Sequence, residues 1–234
     1  MSGNAKTGQG GRAIWLISTV TGVLRVLRDD AWSAALSRDN STIAFRNRTQ
    51  NEIWLMGPNG ENPRRVLAAP EGYMFERSAW SPDGGRLAYI KSTLGLDEVV
   101  IESIPAGGGN PTVMLSGQRI MDFCWTPDGR ILVSLSEPPP NEYDSNLWEF
   151  RADPRTGKRL TEPRRVTNWA RFAFRDITLS RDGKRMAFAN RRSQSDVFLA
   201  ELSPAGNRLL NERRFTLDER IDWPGGWTRD GKLL

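Results

Sequence analysis

The sequence predicts an all-β repeat protein made of four-stranded sheets. Three observations carry that expectation. One turn motif occurs five times at near-even spacing, a short apolar strand follows each of the first four turns, and no stretch has the apolar spacing of an amphipathic helix. The five copies are Leu36-Ser-Arg-Asp-Asn, Trp80-Ser-Pro-Asp-Gly, Trp125-Thr-Pro-Asp-Gly, Leu179-Ser-Arg-Asp-Gly and Trp227-Thr-Arg-Asp-Gly. Their aspartates, Asp39, Asp83, Asp128, Asp182 and Asp230, stand 44, 45, 54 and 48 residues apart. A step of about 40–50 residues fits one four-stranded blade of a β-propeller.

Each copy reads as a tight turn between two strands. Ser or Thr opens it, and Pro or Arg follows, Pro presetting φ. The Asp carboxylate then accepts nearby backbone N–H groups, and Gly supplies a left-handed residue. Asn40 replaces Gly in the first copy and tolerates the same conformation. The five aspartates are therefore expected to be turn formers rather than catalytic groups.

The other strands fall in order around the turns. Second strands are Ile43-Ala-Phe45, Leu87-Ala-Tyr-Ile90, Ile131-Leu-Val133 and Met186-Ala-Phe188. Third strands are Ile53-Trp-Leu-Met56, Val99 to Ile104, Leu147-Trp-Glu-Phe150 and Val197 to Leu202. Fourth strands begin at Arg64-Arg, Pro111-Thr, Arg164-Arg and Arg213-Arg. Arginine pairs on an outer edge are expected to block edge-to-edge pairing. Trp80, Trp125 and Trp227 recur with the blade period, which marks them as packing between neighbouring blades. The long third step contains Pro138-Pro-Pro140 and a hairpin loop, residues 152–162, both expected to project from the rim.

Composition removes several kinds of chemistry. The chain has no histidine, so Ser-His-Asp and Cys-His catalysis and His-based metal sites are absent from it. Its one cysteine, Cys124, cannot form an intrachain disulfide or a zinc site, and its setting between Phe123 and Trp125 predicts a buried thiol. There is no Gly-x-Ser-x-Gly elbow, no P-loop and no kinase signature set. No cofactor, metal or catalytic residue is expected. The 33 basic residues against 28 acidic ones leave a net charge of +5. That small excess is spread along the chain, which favours a solvated surface over a nucleic-acid site. The sequence shows neither an apolar run long enough to span a membrane nor a signal peptide, and as written it reads as cytoplasmic.

The pattern Trp-[Ser/Thr]-Pro-Asp-Gly-x-x-[Leu/Ile]-[Ala/Val]-[Phe/Tyr/Val] resembles the WD-like repeat of TolB-type β-propellers. The same repeat occurs in the N-terminal propellers of dipeptidyl-peptidase and prolyl-oligopeptidase relatives. Asp144-Ser-Asn-Leu-Trp-Glu-Phe, Pro154-Arg-Thr-Gly, Pro163-Arg-Arg-Val-Thr-Asn-Trp, Gln194-Ser-Asp-Val and Leu217-Asp-Glu-Arg-Ile-Asp-Trp-Pro resemble most the C-terminal sensor regions of acidobacterial Ser/Thr kinases and winged-helix regulators. This resemblance implies a parent protein with such an effector, and a periplasmic setting if that parent is membrane-anchored.

Residues 1–11 read as a flexible segment and residues 12–234 as the propeller. Ile14-Trp-Leu-Ile17 looks like a third strand, and Leu233-Leu234 like the start of a second. Four complete repeat units with partial blades at both ends could share one blade in a closed five-bladed ring. An arc of a larger propeller is favoured, because the shared blade would lack an inner strand. Any binding site is expected three residues before the Trp/Leu position, on the strand that lines the channel. That places Arg77, Asp122 and Asp176 near one channel mouth, joined by Arg175 and Asp222. A network of salt bridges between blades is the structural alternative. The expected function is a non-catalytic module that binds a protein, peptide or small ligand within a bacterial signalling protein. The alternative is the substrate-gating propeller of a prolyl-oligopeptidase-type serine peptidase.

Overall fold

A computed structural model describes residues 2–4, 12–18, 20–191, 196–217 and 223–233. Every regular element among them is a β-strand. The chain forms two compact units, Met1–Asn190 and Arg191–Leu234.

The first unit is a run of antiparallel sheets in chain order. Strands β1 (Ser2–Asn4), β2 (Arg12–Ile17) and β3 (Leu24–Asp29) form a three-stranded sheet, in which Ser2 of β1 pairs with Ile14 of β2. The first full blade is β4 (Ala31–Leu36), β5 (Ile43–Asn47), β6 (Glu52–Met56) and β7 (Arg64–Ala68). The second is β8 (Tyr73–Trp80), β9 (Arg86–Thr93), β10 (Val99–Pro105) and β11 (Thr112–Ser116). The third is β12 (Ile120–Trp125), β13 (Arg130–Ser136), β14 (Ser145–Arg151) and β15 (Arg164–Arg165). A two-stranded sheet of β16 (Phe174–Leu179) and β17 (Met186–Asn190) ends the unit.

Four apolar clusters sit at the four seams between these sheets. Ile14 and Leu27 meet Ala31, Phe45 and Met56 at the first seam. Ala44, Ile53 and Leu55 meet Phe75, Trp80 and Tyr89 at the second. Ile90 and Ile101 meet Phe123, Trp125 and Val133 at the third, and Cys124 and Leu147 meet Phe174, Ile177 and Phe188 at the fourth. A blade with two apolar faces cannot stand alone; stacking the next sheet buries what the last leaves exposed. Trp80 and Trp125 belong to the seams, and the Trp80 Nε1–H donates to the Ala35 carbonyl of the preceding blade at 2.9 Å.

The second unit holds a hairpin of β18 (Phe198–Leu202) and β19 (Leu209–Arg214) and a final turn closed by a bridge between Trp227 and Leu233. Met186 and Phe188 of β17 commit their side chains to the fourth seam, whereas β18 and β19 are exposed along almost their whole length.

The loop after β14 also differs from expectation. It folds back instead of projecting. Gly157 is buried, and a Cβ there would lie 2.1 Å from the Ser103 Oγ of the second blade.

The arginine pairs are more specific than edge protection requires. Arg65 pairs with Glu52 at 2.6 Å, Arg165 with Glu137 at 2.6 Å, and Arg164 with Glu149, each carboxylate lying within the same blade.

Candidate functional site

Each inner strand departs from regular pairing at the same repeat position. The register shifts between Trp32 and Ala35 in β4, between Phe75 and Ser78 in β8, between Ile120 and Asp122 in β12, and between Arg175 and Thr178 in β16. A bulge inserts one extra residue and re-aims the side chains beside it. Ser33 and Asp176 take left-handed φ values of 52° and 51° there, an uncommon conformation for residues other than glycine.

The four bulged strands surround one open cavity of about 680 Å³. That volume lies within the range of pockets that take small molecules or a few peptide residues. Its walls mix Ala34, Leu36, Trp80, Trp125 and Leu179 with serines and Asn40. Its charged lining is Arg38, Arg77, Arg181 and Asp176. Arg38, on the turn after β4, donates from Nη1 to the Arg181 carbonyl on the turn after β16, at 3.2 Å.

The residues expected from the sequence are only partly brought together. Arg77 and Asp176 line the cavity. Asp122 lies behind it, buried, with Oδ1 accepting the Phe123 amide at 2.7 Å and Oδ2 accepting the Ile177 amide at 2.9 Å. Arg77 pairs with Asp122, its Nε 3.5 Å from Oδ1, and also donates through Nη2 to the Ile177 carbonyl. Burial raises the Asp122 carboxyl above its ordinary range, against the lowering effect of Arg77 and the two amides. Together these contacts join the inner strands of the second, third and fourth repeats. Arg175 instead turns to the Met121 carbonyl, at 3.0 Å, and does not line the cavity. Asp222 lies outside the described residues.

Ser33, Arg38 and Arg181 are among the lining residues that the sequence pattern does not single out. A signal existed. The first and fourth turn copies are the two that carry Leu for Trp and also Arg for Pro within the first unit. Those four residues, Leu36, Arg38, Leu179 and Arg181, all face the cavity, while Pro82 and Pro127 of the intervening turns do not.

All five turns have one construction. The Ser or Thr hydroxyl donates to the Asp carboxylate two residues on, at 2.6 Å for Ser37–Asp39, Ser81–Asp83 and Ser180–Asp182 and 2.5 Å for Thr228–Asp230, with Thr126–Asp128 alike. The same hydroxyl accepts the amide that closes each turn at 2.9 Å. Hydrogen bonds from Ser37 and Ser41 hold the Asp39 carboxyl down at about 2. Those from Ser180 and the Lys184 amide likewise lower Asp182. Among the described residues, no group of three or more Cys, Asp or Glu is arranged to hold a metal ion. Burial pushes the Cys124 thiol up to about 12, so it stays protonated at neutral pH.

No family model and no curated protein matches the chain. Solved structures do. TolB from Acinetobacter baumannii superposes with a TM-score of 0.58 at 17% identity, over 88% of this chain and 49% of that one. The fold is that of a TolB-like β-propeller. A nidogen chain from a nidogen/laminin complex superposes with a TM-score of 0.58 at 14% identity, over 80% of this chain and 68% of that one. An oligogalacturonate lyase in complex with manganese gives a TM-score of 0.57 at 14% identity, over 88% of this chain and 61% of that one. The chain thus spans less than two thirds of the length of the lyase and of TolB. At these identities the likeness concerns the fold, and a propeller fold hosts many unrelated roles.

Proposed function

We propose that this TolB-like propeller is a non-catalytic binding module that takes a protein, peptide or small ligand into the inner-strand cavity. In this proposal it serves as the sensor or scaffold part of a larger bacterial signalling protein. One observation carries the proposal: four inner strands, bulged at the same repeat position, turn their side chains toward a single cavity with polar and aromatic walls. Bulges are over-represented beside functional sites. The nidogen structure, determined in a complex with laminin, supports protein binding as a use of this fold.

The test is selection of ligands from a random-peptide library and a metabolite set, followed by calorimetry on Ala34→Trp and Thr178→Trp. Both positions are exposed and line the cavity, so an indole there fills it with little effect on the seams. Selected ligands should lose measurable binding to both variants. Unchanged binding would reject the cavity as the site.

A further inference from the structure

We propose that β11, the outer strand of the second blade, is a self-association edge that pairs with β11 of a second copy of this chain, a contact independent of the cavity. Strands β3, β7, β11, β15 and β19 each stand at the edge of their sheet. Four of the five are charged. β3 carries Arg25, Arg28 and Asp29, β7 carries Arg64 and Arg65, β15 is Arg164–Arg165, and β19 carries Glu212, Arg213 and Arg214. β11 reads Thr112-Val-Met-Leu-Ser116 and carries no charge. It lies in the longest uncharged run of the chain, from Ser103 to Gln118. Charge is a common device for keeping exposed edges apart, and this edge lacks it.

The backbone of this edge is open. The Gly117 N–H donates to the Val99 carbonyl at 2.9 Å, so Gly117 faces β10 and, by alternation, the Ser116 amide faces outward. Among the described residues no backbone hydrogen bond joins β11 to any strand but β10. Val113 is 56% exposed, and Gly107, Gly109, Asn110 and Ser116 are exposed, so no bulky side chain shields the strand. Arg64 and Arg86 reach this run only at the Ala106 carbonyl and the Thr112 hydroxyl. A bulge can also blunt an edge. The one in β11 has counterparts in the β2–β3 and β6–β7 pairs and does not set this edge apart; it seats both Met114 and Leu115 in the third seam.

A second copy fits this edge better than the chain's other edges do. Two β11 strands paired antiparallel about a two-fold axis set no like charges opposite each other, whereas self-pairing of β7 or β15 sets arginine against arginine. β11 offers no free acid to an arginine-bearing edge. Glu102, opposite Val113 on β10, is buried and held by the Tyr89 hydroxyl at 2.9 Å and the Lys91 ammonium at 2.5 Å. A two-fold contact uses the same edge on both copies and closes on itself. Thr112 and Val113 are β-branched, which favours the extended backbone such pairing needs.

The test is sedimentation velocity on the full chain, over concentrations from micromolar to near millimolar. A monomer–dimer equilibrium is expected. Each copy has a net charge of +5, so salt should leave the dimer unchanged or tighten it by screening that repulsion. Val113→Lys charges the edge, and Ser116→Pro removes an outward amide without touching the β10–β11 ladder. Each should raise the dimer dissociation constant at least about tenfold, because a two-fold interface loses the contact twice. Val113→Thr keeps the strand propensity and should leave the dimer as it is. Both positions are exposed, so thermal midpoints measured where the wild type is monomeric should not move. Hydrogen exchange at residues 112–116 should slow as concentration rises. A monomer at every concentration, a dimer indifferent to both Val113→Lys and Ser116→Pro, a dimer that salt dissolves, or open-ended growth would each overturn the assignment.

Discussion

The Asp122 carboxylate accepts the Ile177 amide at 2.9 Å, across the seam between the third and fourth inner strands. Both residues adjoin a bulge in their own strand, so the hydrogen bond links two local irregularities. Asp122 also pairs with the guanidinium of Arg77, which reaches it from the second blade. Removing the carboxylate leaves the Ile177 and Phe123 amides and part of the guanidinium buried without an acceptor. Asp122→Ala should cost about 3 kcal/mol in urea unfolding, the scale for breaking a buried charged pair. Asp122→Asn, which keeps one acceptor oxygen, should cost clearly less. Equal losses would mean that the acceptor plays no part.

The two seam tryptophans should respond unequally to loss of the indole N–H. Trp80 donates to Ala35, while the buried Trp125 Nε1 has no hydrogen-bond partner. Both lose similar ring volume on replacement by Phe. Trp80→Phe should therefore cost about 1 kcal/mol more than Trp125→Phe, the net value of one hydrogen bond. Paired thermal or urea melts of the two variants measure the difference.

Two glycines at the same turn position separate backbone strain from seam packing. Gly84 and Gly183 have φ of 71° and 70°. A Cβ on Gly84 meets nothing within 4 Å, whereas one on Gly183 would lie 2.9 Å from Pro127 Cγ of the third blade. Gly84→Ala should cost about 1 kcal/mol from the left-handed backbone alone. Gly183→Ala should cost more, since the proline ring is held in its own turn. Equal melting shifts would show that the two turns do not press together.

Acid should weaken the turns in a defined range. Asp39 titrates at about 2 in the folded chain against an ordinary 3.8, and Asp128, Asp182 and Asp230 are also lowered. A lowered carboxyl contributes stability that is present above its ordinary value and lost as pH falls through its folded value. Wild-type stability should therefore fall between about pH 4 and pH 2, and Asp39→Asn should flatten part of that fall. Asp122 runs the other way. Its raised carboxyl contributes most when protonated and loses that contribution as pH rises through its folded value. The stability of wild type relative to Asp122→Asn should accordingly increase as pH falls from neutrality toward about 4. Urea melts of the three proteins over this range test both signs.

The repeat was legible because its turn chemistry is local. Ser-x-Asp-Gly specifies one backbone path wherever it occurs, and the apolar strands follow from it. The bulges are a property of strand pairs and were harder to see. Their trace is a spacing of three and then two in the inward residues: Phe75, Ser78 and Trp80 in β8, and Phe174, Ile177 and Leu179 in β16. A regular strand alternates by two throughout. Counting back three residues from the Trp/Leu position found Arg77, Asp122 and Asp176, but not that the bulge sends Asp122 into a seam while Arg77 and Asp176 face the cavity. Arg175, expected near the mouth, stands beside the bulge of β16 and turns toward the Met121 carbonyl instead. The docking of Gly157 against Arg86 and Ser103 depends on a contact between blades that no local pattern encodes.

Hydrogen exchange with and without a selected peptide tests the central claim most directly, because it locates binding on the chain. Protection confined to residues 33–38, 77–80, 124–125 and 176–181, the cavity-lining stretches of β4, β8, β12 and β16 with the turns that follow β4 and β16, is the predicted result. Protection instead along the outer strands β7, β11 and β15, with the inner strands unchanged, would contradict it.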